Sequence, residues 1–335
     1  MTTRLAINGF GRIGRLVLRA LVEQDRRDIE IVAINDLGPV ESNAHLLRFD
    51  SVHGRLPVEV RVDGNTLDLG RGPIRVSAER DPAKLDWRGI DVVLECTGLF
   101  TDADKARAHL DAGAQRVLIS APGKGADRTV VYGVNHQSLE RADRIISNAS
   151  CTTNCLAPIA QVLDRAVGIR KGFMTTIHAY TGDQPTLDTL HKDLYRARAA
   201  ALSMIPTTTG AARAVGLVLP ELDGKLDGVA LRVPTANVSA VDLTIEASRQ
   251  TSVEEINAAM AQAAAGPLKG ILGLTDQANV SVDFNHDPHS AVFHLDQTRV
   301  LEGNLVRVLA WYDNEWAYSS RMLDTAAAIG KLGKV

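Results

Sequence analysis

Short apolar runs alternate with helix-like stretches through the first half of the chain. Residues 4–8 and 30–35 are predicted strands, and the amphipathic run at residues 15–22 is a predicted helix between them. Further apolar runs follow at residues 58–62, 74–76, 92–94, 117–119 and 144–146. Because strands that alternate with helices usually pair in parallel, this pattern predicts a doubly wound α/β domain over residues 1–149, with helices on both faces of a mostly parallel sheet.

The second half of the chain has longer β-rich runs and fewer helical ones. These runs lie at residues 228–234, 238–245, 280–284 and 305–311. Such a pattern is typical of an α+β domain with a largely antiparallel sheet, which we expect over residues 150–314. Residues 319–329 have amphipathic helical spacing, which predicts a C-terminal helix, residues 315–335, that returns to pack on the first domain.

Glycines separate the first predicted strand from the first predicted helix. Gly9, Gly11 and Gly14 have a spacing in which the first permits a tight turn, the second lets backbone approach a pyrophosphate and the third lets helix pack on strand. Asp36 ends the next strand about 20 residues later, where a carboxylate binds a ribose. The alternative is an ordinary glycine turn with a helix-capping aspartate. Since strand, glycines, helix and acid occur together, we predict a Rossmann-type dinucleotide site.

Composition limits the possible classes of function. The 335 residues are 45% hydrophobic with a formal net charge of -3, and neither a basic block nor an acidic tail occurs. Binding to nucleic acid or to a membrane surface through bulk charge is therefore not expected, whereas small anionic ligands remain compatible. No apolar run approaches the roughly 20 residues of a membrane span, and we find no signal peptide. We expect a cytoplasmic protein whose three cysteines are reduced.

Cys151 lies among small hydroxyl and amide residues, residues 147–155, at the predicted start of a helix. The N–H groups and partial positive charge of a helix N-terminus stabilise a thiolate and lower a cysteine pKa from about 8.5. The alternative is a capping turn in which Cys151 only fills the core. The accompanying dinucleotide site favours a nucleophilic cysteine.

Cys151 and Cys155 are four residues apart and share a helical face, so a metal site or a redox pair is an alternative. A zinc site needs further ligands at short spacing, and the nearest downstream histidine, His178, lies on a different element. Two thiols of one helix are also poorly oriented for a disulfide. We therefore predict no metal site, a packing role for Cys155 and a structural role for Cys96.

A long polar stretch occupies residues 180–209. Loops of this length inside a compact domain are usually functional, although a surface insertion is the alternative. The charged residues at 191–198 lie between His178, a candidate base, and the hydroxyl-rich residues 206–210. This arrangement favours an anion pocket.

Several motifs together resemble the phosphorylating glyceraldehyde-3-phosphate dehydrogenase family, in that family's order and across essentially the whole chain. They are residues 8–14, 147–155, 177–184, 191–198, 207–210, 232–235 and 311–316. The resemblance implies an NAD-dependent oxidoreductase that converts glyceraldehyde 3-phosphate, inorganic phosphate and NAD to 1,3-bisphosphoglycerate and NADH in glycolysis or gluconeogenesis. It also implies a thiohemiacetal and then a thioester on Cys151, which phosphate releases.

The same resemblance implies residue roles. Cys151 is the nucleophile, and His178 is the base that activates it. Thr181 and Arg232 resemble the pocket for the phosphate of the substrate. The residues that resemble the inorganic-phosphate pocket are Ser150, Thr152, Arg196, Thr209 and Gly210. The residues that resemble the cofactor site are Gly9, Gly11, Arg12, Ile13, Gly14, Asp36, Arg80, Ser120 and Asn314.

Two departures from the family pattern concern the polar loop. Tyr195 replaces the first of two arginines that the family often has, and Thr189 with Leu190 replaces the Leu-Pro pair of many NAD-specific members. Asp36 favours NAD because a 2′-phosphate would meet a carboxylate, whereas the loop change leaves NADP use open. The resemblance further implies a homotetramer in which this loop lies at a subunit contact.

Two alternatives remain. Erythrose-4-phosphate dehydrogenase is a sister family with the same thiol-histidine chemistry that often accepts water instead of phosphate, but Thr181 and residues 207–210 favour the glyceraldehyde enzyme. A non-catalytic nucleotide-binding or RNA-binding module is a different class of function. Such a module has no need of Cys151, His178 and the anion-binding residues together, and a balanced charge offers little for RNA.

Overall fold

The computed structural model describes residues 2–333; Met1, Lys334 and Val335, which fall within the predicted domain limits, lie outside the described residues. The α-helices are α1 (Arg12–Glu23), α2 (Val40–Arg48), α3 (Ala103–Asp111), α4 (Cys151–Val167), α5 (Val215–Val218), α6 (Val253–Ala265) and α7 (Trp316–Lys331). Short 3₁₀ helices lie at Pro82–Lys84, His136–Ser138, Pro220–Leu222, Ser281–Phe284 and Leu295–Gln297. Within residues 2–333, no helix combines the length and the apolar character needed to cross a membrane.

The strands form two large sheets and one small hairpin. They are β1 (Thr3–Asn8), β2 (Ile29–Asn35), β3 (Phe49–Asp50), β4 (Gly54–Arg55), β5 (Arg61–Asp63), β6 (Thr66–Asp68), β7 (Pro73–Ser77), β8 (Val92–Glu95), β9 (Arg116–Ile119), β10 (Arg128–Thr129), β11 (Ile145–Ser147), β12 (Ile169–Ala179), β13 (Ile205–Thr208), β14 (Leu226–Val233), β15 (Ser239–Ala247), β16 (Leu272–Thr275), β17 (Ala291–His294), β18 (Arg299–Leu301) and β19 (Leu305–Tyr312).

The first compact unit comprises residues 2–132, 136–149 and 319–333. Its nine-stranded sheet has the order β10-β11-β9-β8-β1-β2-β7-β6-β5. Neighbours from β10 to β7 pair in parallel, and the β7–β6 and β6–β5 pairs at one edge are antiparallel. This sheet confirms the predicted Rossmann-type class.

Chain order creates a ligand crevice in this sheet. After β1, the chain builds β2 and β7 on one side and then returns to place β8 on the other side of β1. In an open parallel sheet, ligands bind beyond the carboxyl ends of the strands at such a reversal. Asn8 ends β1 and Glu95 ends β8, so Gly9 and Cys96 follow directly at this edge.

The second compact unit comprises residues 133–135 and 150–318. Its sheet has the order β13-β14-β12-β15-β19-β17-β16, with β18 paired to β19. The β12–β14 and β16–β17 pairs are parallel and the others are antiparallel. The mostly antiparallel sheet confirms the second predicted fold class, and α4 packs across β12, β15, β17 and β19.

Strand β12 shows how the sequence determines the direction of the His178 side chain. Met174, Thr176 and His178 are buried, whereas Phe173 and Ile177 are exposed. Because side chains alternate across a strand, the buried set shares the face on which α4 lies.

Two strand predictions were wrong in detail. Residues 280–284 contain a 3₁₀ helix, because the Asp283 carboxylate accepts the Val280 N–H at 2.7 Å and closes a turn. Val280 and Val282 are exposed, so their alternation does not mark a buried strand face. The strand predicted at residues 58–62 begins only at Arg61, where its pairing with β6 starts.

Candidate active site

Cys151 and His178 come from different elements and meet in the second unit. Cys151 is the first residue of α4, and Ser150 caps this helix by accepting the Thr153 N–H at 3.0 Å. His178 lies one residue before the end of β12. The Cys151 Sγ and His178 Nε2 atoms are 3.5 Å apart. A thiol therefore lies beside an imidazole, as proton transfer between them requires.

The second ring nitrogen of His178 determines its tautomer. Nδ1 lies 2.6 Å from the carbonyl oxygen of Ala179, which can only accept a hydrogen bond. Nδ1 therefore carries the proton, and Nε2 presents its lone pair to the thiol. Burial, reinforced by the charge of Arg232, lowers the pKa of His178 to about 4. At neutral pH, His178 is a neutral base.

The pKa of Cys151 shifts against the expectation from its helix position. Burial raises this pKa, while the Arg232 charge, the Thr152 hydroxyl and N–H groups at the helix start lower it in part. The net shift is upward because desolvation of a thiolate outweighs these donors. The expected lowering was therefore wrong for this structure, and deprotonation of Cys151 depends on a nearby base.

Arg232 lies beside His178 because β14 pairs with β12 in a register that matches these two residues. Its Nη1 donates to Thr181 Oγ1 at 2.7 Å and to Gln184 Oε1 at 3.2 Å. Its Nε is buried and lacks a hydrogen-bond partner among the described residues. A half-buried guanidinium with a spare donor is suited to bind an anion.

An exposed carboxylate of the protein itself, Asp183, lies next to Thr181 and Arg196. Thr181 donates its hydroxyl hydrogen bond to Asp183, and Arg196 Nη1 lies 2.9 Å from Asp183 Oδ2. Burial raises the pKa of Asp183, but Thr181, Arg232 and Arg196 lower it further, so the carboxylate is ionised. Arg196 also donates to Thr207 Oγ1 at 3.1 Å. Two of the predicted anion-binding side chains therefore contact Asp183 in this structure.

The hydroxyl residues predicted for inorganic phosphate differ in their surroundings. Ser150 Oγ lies 2.8 Å from Thr153 Oγ1, and Thr209 Oγ1 accepts the Ala211 N–H at 3.1 Å. At Gly210, a Cβ would have open space around it. Thr152 is buried, and its hydroxyl lies 2.8 Å from the hydroxyl of Tyr312. The side chain of Thr152 is therefore already engaged within the protein.

The first unit has a cavity of about 310 Å³ at the crevice beside β1. Its lining residues are Asn8, Gly9, Gly11, Asn35, Asp36, Leu37, Glu79, Arg80, Cys96, Thr97, Leu99 and Phe100. Gly9 has φ +92°, and a Cβ at Gly14 would lie 2.2 Å from the Gly9 carbonyl oxygen. At Gly11 nothing lies within 4 Å of the Cβ position. Bare backbone at a helix N-terminus thus faces open space, which fits a dinucleotide phosphate.

Asp36 and Arg12 already have protein partners. Asp36 Oδ2 accepts the Phe10 N–H at 2.8 Å, which ties this carboxylate to the glycine turn. Arg12, in the first turn of α1, pairs with Asp50. Although burial raises the pKa of Asp50, this pairing and two backbone N–H groups lower it to about 2. Arg12 therefore forms an ion pair next to the predicted phosphate position.

The remaining residues predicted to bind the cofactor in the first unit follow the ends of strands or begin α1. Ile13 is partly buried in the first turn of α1. Arg80 is exposed at the rim of the cavity. Ser120 follows β9 and hydrogen-bonds to Cys96, whose pKa burial and Glu95 raise to about 12. Such a pKa keeps the Cys96 thiol protonated at neutral pH, which agrees with a structural role.

Asn314 belongs to the second unit and is buried. Its Oδ1 accepts the hydroxyl of Ser239 at 2.8 Å, and Ser239 Oγ accepts the Ala179 N–H at 3.0 Å. This chain links the amide of Asn314 to the residue after His178.

Sequence reasoning missed three residues of these sites. Asp183 and Tyr312 lie within motifs already recognised, but a carboxylate is not expected in an anion pocket and a lone tyrosine gives no signal. Glu95 is fully buried and accepts hydrogen bonds from Asn8 Nδ2 at 2.6 Å and Thr97 N–H at 2.8 Å. It also lies 2.9 Å from His109 Nε2. The available signal for Glu95 was its position at the end of an apolar run, which places an acid in the interior. A buried carboxylate needs hydrogen-bond partners such as these, so its position indicates a polar network.

The cysteines are free thiols in this structure. Cys155 is buried, and burial raises its pKa well above the ordinary value. In residues 2–333, no group of three or more histidine, cysteine or acidic side chains is arranged to hold a metal ion.

Comparison with known proteins relates this chain to glyceraldehyde-3-phosphate dehydrogenases. Family models described as the NAD binding domain and the C-terminal domain of glyceraldehyde 3-phosphate dehydrogenase match residues 3–103 and 150–314. Relatives named glyceraldehyde-3-phosphate dehydrogenase include that of Cereibacter sphaeroides, 70% identical over 99% of this chain and 100% of its own. The relative from Xanthobacter flavus is 71% identical over 99% of this chain and 100% of its own length. The relative from Pseudomonas aeruginosa is 61% identical over 98% of this chain and 98% of its own length.

Proposed function

The chain belongs to the glyceraldehyde-3-phosphate dehydrogenase family, and we infer that it oxidises glyceraldehyde 3-phosphate with inorganic phosphate to 1,3-bisphosphoglycerate. One observation carries the chemistry: Cys151 Sγ lies 3.5 Å from the unprotonated Nε2 of His178. Family membership establishes an NAD(P)-dependent oxidoreductase; the roles of individual residues are part of the proposal.

His178 and Cys151 perform the covalent steps. His178 Nε2 takes the thiol proton, the sulfur adds to the aldehyde carbon, and His178 returns the proton to the resulting alkoxide oxygen to give a thiohemiacetal. A bound nicotinamide cofactor supplies the acceptor for the hydride of this adduct. His178 removes the hydroxyl proton of the thiohemiacetal as the thioester forms. Inorganic phosphate then attacks the acyl carbon, the carbon–sulfur bond breaks, and Cys151 is released.

Two groups of residues bind the anions in this proposal. Arg232 and Thr181 bind the phosphate of the substrate, supported by the unpartnered Nε of Arg232. Inorganic phosphate binds to Ser150, Arg196, Thr209 and Gly210 and to the backbone of Thr152, whose hydroxyl hydrogen-bonds to Tyr312. Because Thr181 and Arg196 contact Asp183, an incoming anion replaces an existing carboxylate contact rather than meeting free donors.

The cofactor proposal is NAD in preference to NADP. Asp36 supports this preference, because its carboxylate would repel a 2′-phosphate. The binding residues proposed in the first unit are Gly9, Gly11, Arg12, Ile13, Gly14, Asp36, Arg80 and Ser120. Asn314 is proposed to bind the carboxamide of the nicotinamide. We further propose a cytoplasmic homotetramer that acts without nucleic acid or membrane partners.

Steady-state oxidation of glyceraldehyde 3-phosphate, with and without inorganic phosphate, tests the proposal. We expect phosphate-dependent NAD reduction that is faster than NADP reduction, and loss of this activity in Cys151→Ser. Phosphate-independent turnover that favours erythrose 4-phosphate would instead support the sister enzyme. Cofactor binding without turnover of any substrate would support a binding module.

A further inference from the structure

Three buried hydroxyl groups lie in a row behind the catalytic pair. The Tyr312 hydroxyl lies 2.8 Å from Thr152 Oγ1 and 2.9 Å from Thr176 Oγ1. The exposed fractions of Tyr312, Thr152 and Thr176 are 1%, 4% and 1%, so water does not compete for these groups. The row links the end of β19, the first turn of α4 and the middle of β12.

Each end of Tyr312 contacts one side of the catalytic pair. Its hydroxyl contacts Thr152, the residue directly after Cys151. Its ring meets the His178 imidazole edge-on, with the ring centroids 6.0 Å apart and the planes at 77°. One side chain therefore touches the neighbour of the nucleophile and the base itself.

On the basis of the proposed function, we propose that Tyr312 is a positioning residue for Cys151 and His178. Its hydroxyl directs the hydroxyl of Thr152 toward the Cys151 sulfur, and its ring holds the imidazole in place. A thiolate only accepts hydrogen bonds, so the row is then polarised from Thr176 to Tyr312, from Tyr312 to Thr152 and from Thr152 to the sulfur. Every hydroxyl keeps its proton in this arrangement.

The electrostatics of the site agree with this direction. Among the groups that oppose the effect of burial on the pKa of Cys151, Arg232 comes first and the Thr152 hydroxyl next. Burial, with the nearby Cys151, raises the pKa of Tyr312 well above its usual range. The phenol therefore stays protonated and remains a donor.

The pH dependence of Cys151 alkylation by iodoacetamide, in the full-length enzyme without substrate, tests this role. Tyr312→Phe keeps the ring and removes the hydroxyl. Because a hydrogen bond to a charged group is lost, we expect the midpoint of the profile to rise by about one pH unit. Below the midpoint, alkylation should slow by about tenfold.

Two threonine variants complete the test. Thr176→Val removes only the donor to Tyr312 and should shift the midpoint in the same direction by less. Thr175→Val, the matched control on the opposite face of β12, should leave the profile unchanged. If Tyr312→Phe folds and its alkylation profile matches that of the wild type, the proposed role of Tyr312 is wrong. If Tyr312→Phe does not fold, the same conclusion follows from a wild-type profile in Thr176→Val.

This readout is separate from the proposed function. Absence of phosphate-dependent turnover in the wild-type enzyme would refute the proposed function, while the alkylation shift still tests the hydroxyl row. Normal turnover with no alkylation shift would refute only the role of Tyr312.

Discussion

His178 illustrates how burial decides chemistry at the scale of one residue. Its position at the end of β12 places it near Cys151. Its tautomer depends on the hydrogen bond to the Ala179 carbonyl, and it is neutral because burial and the charge of Arg232 lower its pKa. The opposite shift at Cys151, which burial raises, makes the base necessary. The protonated Cys151 thiol and the neutral His178 imidazole thus owe their charge states to burial in the folded protein.

The buried imidazole makes stability depend on pH. The pKa of His178 is about 4 when folded, below the roughly 6.5 of an unfolded histidine, so the unfolded state binds the proton more readily. The contribution of the neutral His178 to the free energy of unfolding is complete above pH 6.5 and is lost as the pH falls toward 4. Between those values, we expect the wild type to lose up to about 3 kcal/mol of unfolding free energy that His178→Gln does not lose.

Urea unfolding at several pH values measures this difference. His45→Gln, at an exposed histidine of α2, is the control and should follow the wild type. If His178→Gln also follows the wild type, the assignment of His178 as a buried, neutral imidazole is wrong.

At the scale of elements, the turn between β1 and α1 assigns different tasks to its glycines. Gly14 permits close packing, because a Cβ there would lie 2.2 Å from the Gly9 carbonyl oxygen. Gly11 has a negative φ and open space around it. Packing therefore requires Gly14, whereas only a ligand would require Gly11.

A matched pair of alanine variants separates these tasks. Gly14→Ala should lower the unfolding temperature, because backbone must move to relieve the overlap. Gly11→Ala should unfold like the wild type but bind NAD at least about tenfold more weakly, because a methyl group occupies the phosphate approach. Thermal unfolding and NAD titration measure the two effects. Equal NAD affinity in Gly11→Ala and the wild type would contradict the cofactor assignment.

Local sequence predicted the elements better than the contacts between them. The apolar periodicity of β1, β2, β8 and β9 is local, so the parallel sheet was predictable. The 3₁₀ helix at Ser281–Phe284 was not, because one hydrogen bond from Val280 to Asp283 redirects the chain. Tyr312 gave no signal, since its partners Thr152 and Thr176 lie 160 and 136 residues away in sequence.

At the scale of the whole molecule, residues 319–333 belong to the same compact unit as residues 2–132. Asp324 of α7 lies 2.7 Å from Arg26 Nη1 and 2.9 Å from Arg321 Nη2. Thr325 donates to Asn148 Oδ1 at 2.8 Å. The buried Arg321 makes this arrangement costly to disturb, because a buried charge requires a counter-charge.

Asp324→Asn should therefore destabilise the protein by about 3 kcal/mol, because it leaves Arg321 without its carboxylate. Asp28→Asn is the matched control, since it removes the more exposed partner of the same Arg26 and should cost less than about 1 kcal/mol. Chemical denaturation measures both. Equal losses in the two variants would contradict the role assigned to Arg321.

The central claim is that the reaction passes through a thioester on Cys151. Rapid mixing of the enzyme with glyceraldehyde 3-phosphate and NAD, without phosphate, followed by intact mass measurement, tests it most directly. We expect a burst of one NADH per active site, a glyceroyl phosphate adduct on Cys151, and renewed turnover when phosphate is added. Steady NADH formation without phosphate, or a burst with no adduct on Cys151, would contradict the account.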